Sequence, residues 1–113
     1  MIKTTIFSKI INGEIPCDKL HEDDLCIAFN DISPQAPVHF LVIPKKPIVN
    51  LLECYEEDEG LLGHLLLVGK NIAKSKNLKT WRTVINTGKE SGQTVFHLHI
   101  HFLAGRKMSW PPG

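Results

Sequence analysis

The sequence predicts an α+β protein built on a mainly antiparallel five-stranded sheet, with one short and one long helix. Three observations carry that expectation. Five short runs rich in β-branched, aromatic and alternating apolar residues are separated by turn signals, which is the pattern of strands. Two stretches instead place apolar residues at helical spacing, one brief and near the N-terminus, the other long and central. The last two strands are joined by only Thr87 to Gln93, too short for a crossover helix, so they should be antiparallel neighbours. With 113 residues and 42% hydrophobic content, residues 1–113 suit one domain with one core.

In chain order, Ile6, Phe7, Ile10 and Ile11 recur at helical spacing and stop at Asn12-Gly13, a helix-ending pair. Lys19 to His21 and Leu25 to Phe29 read as a hairpin turning at Glu22-Asp23-Asp24. Asp31 to Pro37 holds two prolines and must be an ordered loop. His39 to Ile43 reads as a buried strand ended by Pro44 and the Lys45-Lys46 pair. Acidic residues from Glu53 to Glu59 precede the apolar run Leu61 to Ala73, and Lys70, Lys74, Lys76 and Lys79 follow. That charge order complements a helix dipole and predicts the long helix. Its apolar positions, Leu61, Leu62, Leu65, Leu66, Val68, Ile72 and Ala73, spread over more than one face, which points to a second subunit. Trp81 to Asn86 and His97 to Leu103 complete the strands.

Charge and composition exclude several function classes. Thirteen basic against 12 acidic residues leave a net charge of +1, so nucleic acid is not expected as a partner. No stretch approaches the roughly 20 apolar residues of a membrane span, and Met1 to Lys9 lacks the apolar core of a secretion signal. A soluble, cytoplasmic protein is expected, with the nucleus as an alternative. Cys17, Cys26 and Cys54 are odd in number and form no Cys-x-x-Cys pair, so they read as reduced packing residues rather than a disulfide frame or zinc ribbon. Gly88-Lys89 is no phosphate-cradling loop, because Thr83 stands where the first glycine is needed and Glu90 follows the lysine.

The chemistry concentrates in His97-Leu98-His99-Ile100-His101-Phe102-Leu103. On a strand, alternate side chains share a face, so the three imidazoles would face one way and Phe96, Leu98, Ile100 and Phe102 the other. Asn86 and the Gly92-Gln93-Thr94 loop would then lie beside the histidine face. Imidazoles, amides, a hydroxyl and glycine N–H groups together suit an anion. Zinc is the first alternative: neighbouring histidines lie about 6.6 Å apart, but the outer two roughly 13 Å, so three ligands from one strand fit poorly. His39, Asp31 or a cysteine would have to complete such a site. Surface histidines on a solvated face are the bland reading, as are an Asx turn for Asp31, a satisfied core histidine for His39, and structural or surface places for His21 and His64.

His97 to Leu103 resembles the signature of the histidine triad superfamily of nucleotide hydrolases and transferases. Phe29 to Pro37, His39 to Lys46, Gly92 to Val95 and Trp110-Pro111-Pro112-Gly113 are similar to its histidine triad nucleotide-binding protein branch, so the resemblance covers nearly the whole chain. It implies a histidine triad (HIT)-like fold whose homodimer forms a continuous ten-stranded sheet, with the Trp110 tail near the partner's site. It also implies a purine nucleoside phosphoramidase that cleaves the P–N bond of adenosine or guanosine 5′-phosphoramidates, and acyl-nucleotides as a further substrate, through a nucleotidyl-histidine intermediate. By position, His99 would be the nucleophile and His101 would contact phosphate and leaving group. His97 and His39 would orient the nucleophile and relay protons. Asn86, the Gly92-Gln93-Thr94 backbone and the Thr94 hydroxyl would hold the phosphate, Val95 would also contact the nucleotide, Asp31 would accept the ribose hydroxyls, and Ile6, Phe7, Ile10, Phe29, Ile32 and Leu41 would enclose the base. For those apolar residues, the residues alone favour ordinary core.

No cofactor or metal is implied. Thr94 stands where many relatives carry serine and Pro47 where they often carry histidine. A purine-nucleotide-binding regulator or scaffold, and less so a zinc-binding protein, are the alternative functions.

Overall fold

The computed structural model describes residues 4–113; Met1 to Lys3, part of the stretch read against a secretion signal, lie outside them. A capping box between Thr5 and Ser8 starts α1 (Ile6–Ile11), and Gly13 at φ +78° turns the chain out of it. Next come β1 (Lys19–Glu22), β2 (Cys26–Asn30), β3 (Val38–Pro44), α2 (Glu59–Ser75), β4 (Arg82–Val84) and β5 (Ile100–Ala104). The strands form one antiparallel sheet in the order β1-β2-β3-β5-β4.

Because β3 is central, it is buried on both faces, and the sheet has two unlike apolar layers. On one, α2 lays Leu65, Val68, Ile72 and Ala73 over Ala28, Phe40, Val42, Ile100 and Phe102. Phe40 and Phe102 are register partners whose rings stack with centroids 5.0 Å apart. Gly69 lets α2 approach that stack, since a Cβ there would overlap the Phe102 ring. On the other face, Phe7 of α1 packs with Ile27, Phe29, Leu41 and Ile43. Leu66 and Leu67 of α2 remain 44% and 58% exposed, so the helix does carry apolar side chains beyond its core stripe. No helix of the described residues is long and apolar enough to cross a membrane.

The last two strands depart most from the sequence expectation, the first three differing by no more than one residue at either end. The strand expected over Trp81 to Asn86 shortens to Arg82–Val84, and that expected from His97 begins only at Ile100. The second shift has a local cause. Val42 pairs with Ile100, so continuing the register would set Leu98 against Pro44, which has no N–H to give. Leu98 N–H instead donates to Ile48 O at 2.7 Å, and the chain through His97 and His99 bends away from the ladder. Only His101 of the three histidines therefore sits on a strand.

Candidate active site

The site is assembled from backbone groups first. In the loop after β2, Asp31 Oδ1 accepts Ser33 N–H at 2.8 Å, the Asx turn expected of Asp-x-Ser. That turn carries Gln35 to where its N–H donates to His39 Nδ1 at 3.0 Å. Arg106, beyond β5, holds the same residue by donating from Nε to Gln35 O at 3.0 Å. Since Nδ1 of His39 is an acceptor, a neutral His39 carries its proton on Nε2. Nε2 lies 2.9 Å from His101 Nδ1 and 3.4 Å from Asp31 Oδ2. His101 Nδ1 then accepts, which leaves the His101 proton on Nε2.

A second chain of bonds orders the other two imidazoles. His99 Nδ1–H donates to the carbonyl of His97 at 2.8 Å, so the lone pair of a neutral His99 is on Nε2. His97 donates from Nε2 to Pro44 O at 2.7 Å. The rings of His99 and His101 stand edge to face at 4.9 Å, and Phe7 meets His99 edge-on at 5.0 Å and His97 at 6.3 Å. His39, His97 and His99 are buried, at 5%, 3% and 6% exposure.

Burial keeps these imidazoles neutral. It lowers the pKa of His39 with Asp31 opposing, of His97 with the Pro44 carbonyl opposing, and of His99 with the His97 carbonyl and Asp31 opposing. His101 falls to about 4, through burial first and then the neighbouring His99 and His39. Asp31, His39 and His101 place donor atoms within 4.8 Å of one another and are the group here able to hold a metal. A metal there would have to replace the His39–His101 hydrogen bond.

The structure gathers some of the expected nucleotide contacts and separates others. Ile6, Phe7, Ile10, Phe29, Asp31 and Ile32 line one groove, whose rim at Ile32 is 91% exposed. Ile15, Pro16 and Cys17, whose run just past the Gly13 turn was the available signal, line it too, as does Asn30 at the end of β2. Leu41 lies beneath the groove as core, 3% exposed, and Val95 packs against the same layer. Gln93 is 1% exposed and committed internally: Oε1 accepts Gly88 N–H, and Nε2 donates to Val49 O and Val95 O. The N–H groups of Gly92 and Gln93 also bond within the loop, to Lys89 O and Gly88 O. Gly92, at φ +100°, makes that tight return, while Thr94 is exposed. Asn86 stands beside Gly92 and borders a groove shared with Arg82 and Trp110. Neither the Gln35 N–H nor the Pro44 carbonyl carries a sequence signature, because backbone groups are set by the fold.

Comparison with known proteins agrees with this geometry. Residues 4–110 match the family model described as the scavenger mRNA decapping enzyme C-terminal binding family. The chain is 62% identical to a HIT-like protein of Synechococcus elongatus and 58% identical to one of Synechocystis, each over the full length of both chains. Among solved structures it is similar to a HIT family hydrolase from Legionella pneumophila, at 43% identity and TM-score 0.94, covering 97% of this chain and all of that one. A histidine triad protein from Clostridium difficile is also 43% identical, at TM-score 0.90, with 96% and 97% covered.

Proposed function

The chain belongs to the histidine triad (HIT) family, and we propose that within it the protein is a hydrolase of purine nucleoside 5′-phosphoramidates, of the nucleotide-binding branch. One observation carries the reading. A buried, neutral imidazole, His99, has Nδ1 tied to a carbonyl and so presents a lone pair at Nε2, next to the N–H of His101. The nucleophile is complete without a metal.

The reaction follows from those protons. His99 Nε2 bonds to the α-phosphorus as the P–N bond breaks, and the amine leaves with the electron pair. It needs a proton, because an amide anion is too basic to depart. His101 supplies it from Nε2: the negative charge of bound phosphate offsets the burial that keeps this ring neutral in the free protein, so the ring takes up a proton at Nδ1 as substrate binds, and the His39 Nε2–H that occupied Nδ1 turns to Asp31 Oδ2, 3.4 Å away. Water then attacks phosphorus, gives its proton to His101, and displaces His99 with the nucleoside monophosphate as product. The His39 bond fixes which nitrogen of His101 faces substrate. His97 acts on His99 through its backbone carbonyl, its ring being engaged with Pro44.

Nucleotide binding extends this reading: Asp31 Oδ2 accepts ribose hydroxyls, the groove of Ile6, Phe7, Ile10, Phe29 and Ile32 takes the purine, and Thr94 and Asn86 meet phosphate. Two copies joined through the β4 edge, with Leu66, Leu67 and Trp110 covered, would make the ten-stranded dimer; gel filtration with light scattering tests it. For the reaction, adenosine 5′-phosphoramidate is offered with and without EDTA to native protein and His99→Ala. Chelator-resistant turnover lost in the variant, with label trapped on the His99 ring after quenching, supports the proposal. AMP binding without turnover would instead make the protein a nucleotide-binding regulator, and chelator-sensitive turnover would move the chemistry to a metal.

A further inference from the structure

Away from this site, four side chains converge on the face of the sheet that α2 covers. His21 lies on β1, Asp23 in the hairpin turn, Cys26 at the start of β2 and His64 on α2. His21 Nε2 and His64 Nε2 both donate to Asp23 Oδ2, at 2.7 and 2.8 Å, and Cys26 Sγ stands 3.6 Å from the same oxygen. Asp23 Oδ1 is occupied by the N–H groups of Leu25 and Cys26, at 2.8 and 2.9 Å, which turns Oδ2 toward the rings.

We propose that His21, Asp23, Cys26 and His64 form a structural zinc site that pins α2 to the β1–β2 hairpin. Their donor atoms all lie within 4.8 Å of one another. Two nitrogens, one sulfur and one oxygen are donors zinc accepts, and tetrahedral bonds of about 2.0–2.3 Å set donors roughly 3.3–3.8 Å apart. The two imidazoles must move out slightly from Oδ2 and the outer donors inward, by about an ångström or less. Both rings are about one-third exposed, at 36% and 35%, which leaves an entry path, while Cys26 is fully buried behind them. Asp23 is already an anion: burial would raise its carboxyl, but the hydrogen bonds from His21, His64 and the two N–H groups outweigh that and hold it well below the usual carboxylate range. The Cys26 thiol, pushed up to about 12 by burial and Asp23, becomes a ligand by losing its proton to the cation's field. Binding therefore takes a proton from Cys26 and turns the Nε2 atoms of both imidazoles from hydrogen-bond donors into ligands.

Zinc and cobalt are the probes, used on the full chain. Native protein should retain one equivalent of zinc after dialysis, melt at a higher temperature with it, and show a thiolate-to-metal charge-transfer band with cobalt. His64→Gln should bind at least about tenfold more weakly and lose the thermal shift; Cys26→Ser should lose the charge-transfer band. His21→Phe, at a partly exposed position on the edge strand, serves where Cys26→Ser fails to fold. Phosphoramidate turnover should be unchanged in all three. Failure of native protein to retain zinc overturns the site, as does retained zinc that none of the variants weakens, which would place the metal on Asp31, His39 and His101.

Discussion

The six histidines fall into two groups that differ in what their ring nitrogens face. Around β3 and β5, His39, His97, His99 and His101 bond to one another and to backbone groups of Gln35, His97 and Pro44. Between the β1–β2 hairpin and α2, His21 and His64 share one carboxylate oxygen beside a thiol. A carbonyl can only accept, so it fixes a tautomer and leaves a lone pair aimed elsewhere, which is what a nucleophile requires. A carboxylate with a thiol instead concentrates negative donors, which is what a cation requires. In the proposed roles, the same side chain serves bond-making in one place and ligation in the other, and the difference lies in its hydrogen-bond partner.

The contrast is broken most severely at His99. His99→Ala should lower phosphoramidate turnover by about a thousandfold or more while AMP still binds, measured by steady-state kinetics and calorimetry. Next is the ring that sets the His101 tautomer. His39→Phe leaves His101 Nδ1 without its donor, and kcat should fall about a hundredfold, with a shifted pH–rate profile. His97→Leu sharpens the comparison from the other side, because the carbonyl that serves His99 is kept. It should retain kcat within about an order of magnitude, below the usual loss for a general acid–base group. Leaving the Pro44 carbonyl unpaired should cost about 1–3 kcal/mol of stability, read from urea unfolding.

The mildest test is acid. Each of the four imidazoles has a folded-state pKa below the ordinary 6.5, so below that pH the unfolded chain binds more protons than the folded one. Stability is complete above about 6.5 and should fall progressively toward about 4, the value for His101. Urea midpoints from pH 8 to 4 check this, and the slope should flatten when His101 is replaced by Asn.

Much of the fold was legible because its signals are local. The apolar spacing of α1 with its Asn12-Gly13 stop, the Asp31 turn, the apolar run of β3 and the charge order along α2 each act within a few residues, and the structure has an element at each. The strand expected from His97 failed because Pro44, on another strand, denies the ladder a donor. The Gln93 backbone read as a phosphate contact; its N–H bonds to Gly88 O, and its buried side-chain amide, for which the sequence carried no signal, ties Gly88, Val95 and Val49, the last 44 positions away.

Residue order alone determined which groups could do chemistry here: imidazoles alternating with apolar residues, a carboxylate in a proline-bearing loop, and three unpaired thiols. Only the tertiary structure decided how each imidazole carries its proton, since that depends on how the fold brings the carbonyls of His97 and Pro44 and the N–H of Gln35 to the rings. It also decided that His64, 41 positions from Asp23, meets the hairpin at all. Covalent identity fixes a side chain's intrinsic basicity; position in the folded chain fixes what it is bonded to, how far it is from water, and therefore what it can do.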